Sequence, residues 1–271
     1  GYMNCRSVRM ALVVEYDGSG FQGFQYQCNV ATVQGELEKA ITRLGGVSVR
    51  IKGAGRTDSG VHAIGQVVVF DTTMCHAPDV FVRALNFHLP DTISVKNAYR
   101  VSGDFDPRHM ALSRRYRYTI DCGSTPSPLL RHTAYHLGRS LDLHKMKAAA
   151  RLIVGRHNFA RFAAPVHPRW SSTVREVYEV LVYCAANLVK FEVEANAFLP
   201  RQVRRLSGGL VDVGLGRLAL DVFGSMLDGS YKNCVQLGAV ARSLPSHGLC
   251  LIKVTYNDFP PKVGEADDYR C

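Results

Sequence analysis

The hydrophobic period of this chain switches repeatedly, and the order of the switches constrains the fold more than any single residue does. Residues 7–16 form an apolar run with the character of a buried strand. Thr32 is placed to cap a helix in which Val33, Leu37, Ile41 and Leu44 recur at helical spacing until Gly45 and Gly46 stop it. Residues 47–52 alternate as a strand, and residues 66–70 form another. Pro78 opens a short helix carrying Val82 and Leu85, Pro90 closes it, and residues 93–101 return to strand. This is the split βαββαβ order of a ferredoxin-like unit.

The second half repeats it. Residues 114–121 read as strand, and residues 141–154 as a helix with Met146, Ala149, Ala150 and Ile153 on one face. Residues 172–183 and 188–195 pair around a turn at Ala186 and Asn187; helices over 198–213 and 218–227 and a strand over 249–256 follow. The expected fold is α+β: two ferredoxin-like (βαββαβ) halves, residues 1–105 and 106–259, forming a continuous antiparallel sheet with helices on one face and an active-site cleft between the halves. Residues 260–271 have no periodicity and are expected to be a flexible tail.

Charge narrows the partner. Lys and Arg number 33 against 23 Asp and Glu, a formal net charge of +10, which favours a polyanion: RNA, DNA or an anionic membrane surface. No stretch approaches the ~20 apolar residues of a membrane span, and the first residues carry no apolar signal segment. The eight cysteines are scattered without a C-x-x-C pair, unlike a zinc finger or redox motif and like reduced thiols in a cytoplasm. His132 and His136 would share one face of a helix and could hold a metal there, but their surroundings read as strand or loop, so no metal site is expected.

The densest chemistry lies at residues 53–62, where three glycines, Arg56, Asp58 and His62 share one loop. Three readings compete. A phosphate-cradling P-loop needs a Lys after its last Gly, and none is present; with it weakens a nucleotide-binding hydrolase. A plain turn would use Asp58 to cap backbone amides. A catalytic loop would use the glycines to let substrate approach the backbone.

Residues 55–63 resemble the G-R-T-D-x-G-V-H-A motif of the TruA-type tRNA pseudouridine synthases. The likeness continues through Tyr16-Asp17-Gly18 to Gln25, Thr32 to Leu37, Leu85-Asn86, Leu89-Pro90-Asp91, Phe105-Asp106-Pro107-Arg108, the R-x-Y-x-Y strand from Arg114 to Tyr118, Gly155 to Phe159, Phe198-Leu199, Val203-Arg204 and Gly248-Leu249. It implies a homodimeric enzyme that isomerises uridine to pseudouridine at positions 38, 39 and/or 40 of the tRNA anticodon stem-loop. The base leaves ribose C1′ through N1 and rejoins through C5. With no redox change and no group gained, no cofactor is implied.

The resemblance assigns the essential carboxylate to Asp58, as nucleophile or base, ionised in a fairly dry pocket where Arg204 would oppose the effect of burial on its pKa. It assigns Arg56 to extracting the target base, which costs a few kcal/mol of unstacking. It places Tyr116 against the uracil face, where stacking contributes ~1–3 kcal/mol, and leaves Tyr118, two residues on, as a core residue. Arg108, Arg114, Arg115, Arg131 and Arg169 are candidate phosphate contacts. The chain departs from the family at Gln202 and Ser207, more polar than usual, and at His247. The alternative function is a tRNA-binding or folding factor of the same fold without catalysis.

Overall fold

The computed structural model describes residues 7–164, 172–227 and 241–261. It divides into two compact units: the described residues up to Leu112 together with those from Leu251 on, and those within Ser113–Cys250. Each is a mixed α/β unit built on a mostly antiparallel sheet.

In the first unit the chain runs β1 (Val8–Tyr16), α1 (Val33–Gly45), β2 (Lys52–Gly53), β3 (His62–Thr72), α2 (Pro78–His88) and β4 (Ile93–Val101). β1 is central, antiparallel to β3 and β4, with Met10↔Phe70 and Met10↔Arg100 in register; β2 pairs antiparallel with the far end of β3. Met10, Leu12 and Val14 on one face, with Ala11 on the other, are fully buried, whereas Arg9, Val13 and Glu15 are only partly so. α1 starts where Thr32 Oγ1 accepts the Gly35 amide at 3.1 Å and ends at Gly46, whose φ of 69° is a left-handed terminator.

The second strand is much shorter than the alternation predicts. Of residues 47–52 only Lys52 joins a strand. Side chains of α1 take the backbone groups that a neighbouring strand would otherwise have used: Ile51 donates its amide to Glu38 Oε1 at 3.0 Å, and Gln34 Nε2 reaches the Ile51 carbonyl. Val47 is two-thirds exposed.

The second unit carries β5 (Ser113–Asp121), β6 (Tyr135–His136), α3 (Leu143–Ile153), β7 (Gly155–Asn158), β8 (Val174–Ala185), β9 (Leu188–Ala195), α4 (Gln202–Gly214) and α5 (Leu220–Leu227). Its strands lie in the order β5-β9-β8-β7, all antiparallel, with β6 added parallel to the end of β5. α3 buries the four residues its periodicity selects: Met146, Ala149, Ala150 and Ile153. β7 is a strand the periodicity does not reveal. α4 begins at Gln202, later than expected, because Arg201 adopts φ 61° and the buried Gln202 accepts the Leu199 amide at 2.8 Å. Ser207, equally buried, donates back to the Val203 carbonyl. The two polar departures thus satisfy local backbone groups inside a packed helix.

The last strand, β10 (Leu249–Thr255), returns to the first unit from Leu251 on and neighbours β3. Leu112 donates its amide to the Thr255 carbonyl, Tyr256 donates its hydroxyl to the Pro107 carbonyl at 2.7 Å, and the rings of Phe105, Tyr256 and Phe259 pack together. Among the described residues no helix is long and apolar enough to cross a membrane. Of the expected tail, residues 262–271 lie outside the described residues.

Candidate active site

Two loops of the first unit build the Asp58 site from the inside outward. Thr57 is buried, with Tyr16 Oη 2.7 Å from its hydroxyl and its carbonyl accepting the Phe24 amide at 3.0 Å. Its neighbours Arg56 and Asp58 are both exposed. Anchoring one residue inward while its neighbours face solvent is the period of an extended segment.

The opposing loop is shaped to touch this one. Gly23, at φ 88°, runs so close that a Cβ there would lie 2.9 Å from the Thr57 carbonyl oxygen; only glycine serves. Gly18 is tighter still against the Val61 carbonyl. The Gly18 amide donates to Nδ1 of the buried His62 at 3.0 Å, and Ser59 donates its hydroxyl to the Phe21 carbonyl. Val61 closes a turn by donating to the Asp58 carbonyl across Gly60, φ 79°. Asp58 is the exposed residue on this turn, which its own carbonyl closes.

In the second unit β5 separates the two tyrosines. Tyr118 is fully buried, donates its hydroxyl to the Pro245 carbonyl at 2.7 Å, and is pushed to a high pKa by burial. Tyr116 is half-buried, its ring edge-to-face with Phe198 at 5.2 Å. Only Tyr116 retains a surface to offer a ligand. Arg204, in the first turn of α4, donates Nε to the Leu244 carbonyl at 2.7 Å while its own carbonyl accepts the Leu244 amide. These bonds tie α4 to the 244–248 segment that carries His247, which lies in a 3₁₀ turn.

The candidate phosphate ligands differ in availability. Arg108 is exposed on a turn that Asp106 organises by accepting the amides of Arg108 and His109, each at 2.9 Å. Arg131 is exposed, and Arg114 donates to the Asn196 carbonyl. Arg115 is held by Glu179, Glu192 and Glu194, which neutralise it and compete with any phosphate. Burial works against the charge of Glu192, but hydrogen bonds from Arg117 and Tyr183 outweigh it and hold this carboxyl below its ordinary range. Arg169 lies outside the described residues. His136 belongs to β6, not a helix, and its Nδ1 lies 3.2 Å from Asp121 Oδ2.

Residues 12–109 and 149–257 match the family described as tRNA pseudouridine synthase. The chain belongs to that family. It is 42% identical over 251 residues to tRNA pseudouridine synthase A of Chloroflexus aurantiacus, covering 91% of this chain and 88% of the relative. The corresponding protein of Roseiflexus sp. is 42% identical over 265 residues, with 96% and 94% covered, and that of Shouchella clausii 38% identical over 249 residues, with 92% and 93% covered. A solved Cbf5-Nop10-Gar1 complex overlaps 89% of this chain and 57% of its own at 11% identity and a TM-score of 0.34, too loose a likeness to bear on the fold.

Of the expected site residues, Arg56, Asp58, Arg108, Arg169 and Arg204 fall inside the matched segments, and Tyr116, Arg114, Arg115 and Arg131 fall between them. The residues that hold the catalytic-type loop in place, Tyr16, Thr57, His62 and Gln66, carry no role in the sequence reading. Their signal was there in part: Tyr16, Thr57 and His62 all lie in segments that carried the resemblance, but their bonds join positions 41 to 44 residues apart.

Proposed function

We propose that this chain converts uridine to pseudouridine in tRNA, with Asp58 as the essential carboxylate. One observation carries the reaction: about two-fifths identity to tRNA pseudouridine synthases A along nine-tenths of the chain. The choice of Asp58 is supported by its exposure on a turn whose inner residue, Thr57, is fixed. Asp58 attacks C1′ or C6, or removes a sugar proton. Because the carboxylate is solvent-exposed, the RNA itself supplies the cover that dries the site, and Arg204 is its counter-ion once covered.

Arg56, exposed beside it, fills the space the extruded base leaves and holds phosphate. Tyr116 stacks on the uracil. Arg108, Arg114, Arg131 and Arg169 contact phosphates, while Arg115 serves its carboxylate partners instead. The targets are positions 38, 39 and/or 40 of the anticodon stem-loop, and the enzyme works as a homodimer in the cytoplasm. We read residues 1–105 and 106–259 as duplicated ferredoxin-like halves; the order β4-β1-β3-β2 in the first unit supports this reading of that half.

The test uses unmodified tRNA labelled with tritium at uracil C5. The wild-type chain releases tritium, and Asp58→Asn binds the same tRNA without release. Release by Asp58→Asn removes Asp58 from the chemistry; tight binding without release by the wild type makes the chain a tRNA-binding factor instead.

A further inference from the structure

We propose that Gln66, Tyr16 and Thr57 form a buried hydrogen-bond relay that positions Asp58, making them positioning residues of the reaction. The inference rests on the reading of Asp58 as the essential carboxylate. All three side chains are nearly inaccessible: Gln66 is 0% exposed, Tyr16 2% and Thr57 6%. They come from three places in the chain: the end of β1, the 53–61 loop and β3.

The orientation of Gln66 follows from its partners. Gln66 Oε1 accepts the Val67 amide at 3.2 Å, and Gln66 Nε2 donates to the Gly55 carbonyl at 2.9 Å. Both partners are backbone groups of fixed polarity, so the amide has one orientation. Its Nε2 also reaches Tyr16 Oη at 3.4 Å, a long bond in which the phenol oxygen accepts. Tyr16 Oη and Thr57 Oγ1 lie 2.7 Å apart, a hydroxyl–hydroxyl bond in which either can donate.

Gln66 and Tyr16 thus grip the loop at Gly55 and at Thr57, on both sides of Arg56 and immediately before Asp58. Ala54 adds a backbone bond to the Val67 carbonyl. A buried hydroxyl and amide that lose a partner must shift to find another. Tyr16 and Gln66 are built into paired strands, Tyr16↔Ala63 and Val14↔Gln66, so of the three partners it is the loop residue, next to Asp58, that yields. A displacement of about 1 Å at a reacting group costs on the order of 100-fold in rate.

The test measures single-turnover tritium release and tRNA affinity for the full chain carrying Tyr16→Phe, Thr57→Val or Thr57→Ser, and the Tyr16→Phe/Thr57→Val pair, beside Asp58→Asn. Single-turnover rates count only folded, tRNA-bound enzyme, so a loss of stability alone leaves them unchanged. Tyr16→Phe and Thr57→Val are expected to slow release by about 10–100-fold with tRNA affinity within about twofold. The pair is expected to be no slower than the worse single variant. Thr57→Ser, which restores the hydroxyl, recovers most of the rate. Wild-type release rates in Tyr16→Phe and Thr57→Val, or a Thr57→Ser variant as slow as Thr57→Val, overturn the relay. If Tyr16→Phe does not fold, the two Thr57 variants decide alone. Release by Asp58→Asn overturns the underlying assignment instead, a result distinct from either.

Discussion

Tyr116 and Tyr118 show how two identical residues two positions apart acquire different uses. Both belong to one strand and one face, yet Tyr118 is closed over by the 244–248 segment. A Cβ on Gly248 would lie 2.6 Å from Tyr118 Cζ. The ring cannot retreat, being fully buried with its hydroxyl held by the Pro245 carbonyl. Gly248→Ala is therefore expected to destabilise the protein by about 1–3 kcal/mol, the usual cost of overpacking, measured by urea unfolding; a midpoint equal to wild type would mean that the segment yields. Choosing Tyr116 over Tyr118 from the sequence needed motif alignment, because alternation puts both on the same side. Burial separates them, and burial depends on residues some 130 positions away.

At the level of elements, much of the fold was legible because it rests on local rules. β1, α1, α2, β4, α3, β9 and α5 fall within two residues of their predicted bounds, each set by a cap, a proline, a glycine or an unbroken apolar run. Two of the failures share one cause. Residues 47–51 alternate like a strand, but Glu38 and Gln34 of α1 capture the backbone of Ile51, a partnership no local pattern encodes. The start of α4 was misplaced for a similar reason, Gln202 reaching back to Leu199.

A short turn also yields a prediction. The amide of His109, with the amide of Arg108 and the His109 ring assisting, holds the Asp106 carboxyl at about 2, against an ordinary 3.8. With the folded value below the unfolded one, the turn's contribution is complete above about pH 4 and is lost as pH falls through about 2. The side chain is partly open to solvent, which tempers the effect. Asp106→Asn should flatten the dependence of unfolding midpoint on pH between 4 and 2; an unchanged slope would place the acid sensitivity elsewhere.

For the molecule as a whole, the net charge of +10 and an anionic substrate make affinity a function of salt. Each phosphate contact releases counterions, so log affinity falls linearly with log salt. Binding of tRNA is expected to weaken steeply between low and physiological salt, and Arg108→Ala to reduce the slope by about one. A flat response would exclude a phosphate-tracking surface; an unchanged slope in Arg108→Ala would remove that residue from it. Asp58 itself was legible only through a motif, since a Gly-rich loop with one carboxylate is compatible with a turn, a cradle or a catalyst. Its exposure was not legible at all.

The path of β10 has a consequence for how the protein is made. Leu251 to Thr255 complete the unit that begins at β1, so that unit is discontinuous along the chain. During vectorial synthesis on the ribosome, β3 emerges with one stretch of its edge unpartnered and waits for nearly two hundred further residues before β10 arrives. The second unit, whose strands β5 to β9 are contiguous, has every chance to fold in that interval. The loop bearing Asp58 precedes β3 directly, so it is synthesised well before the strand that completes its unit.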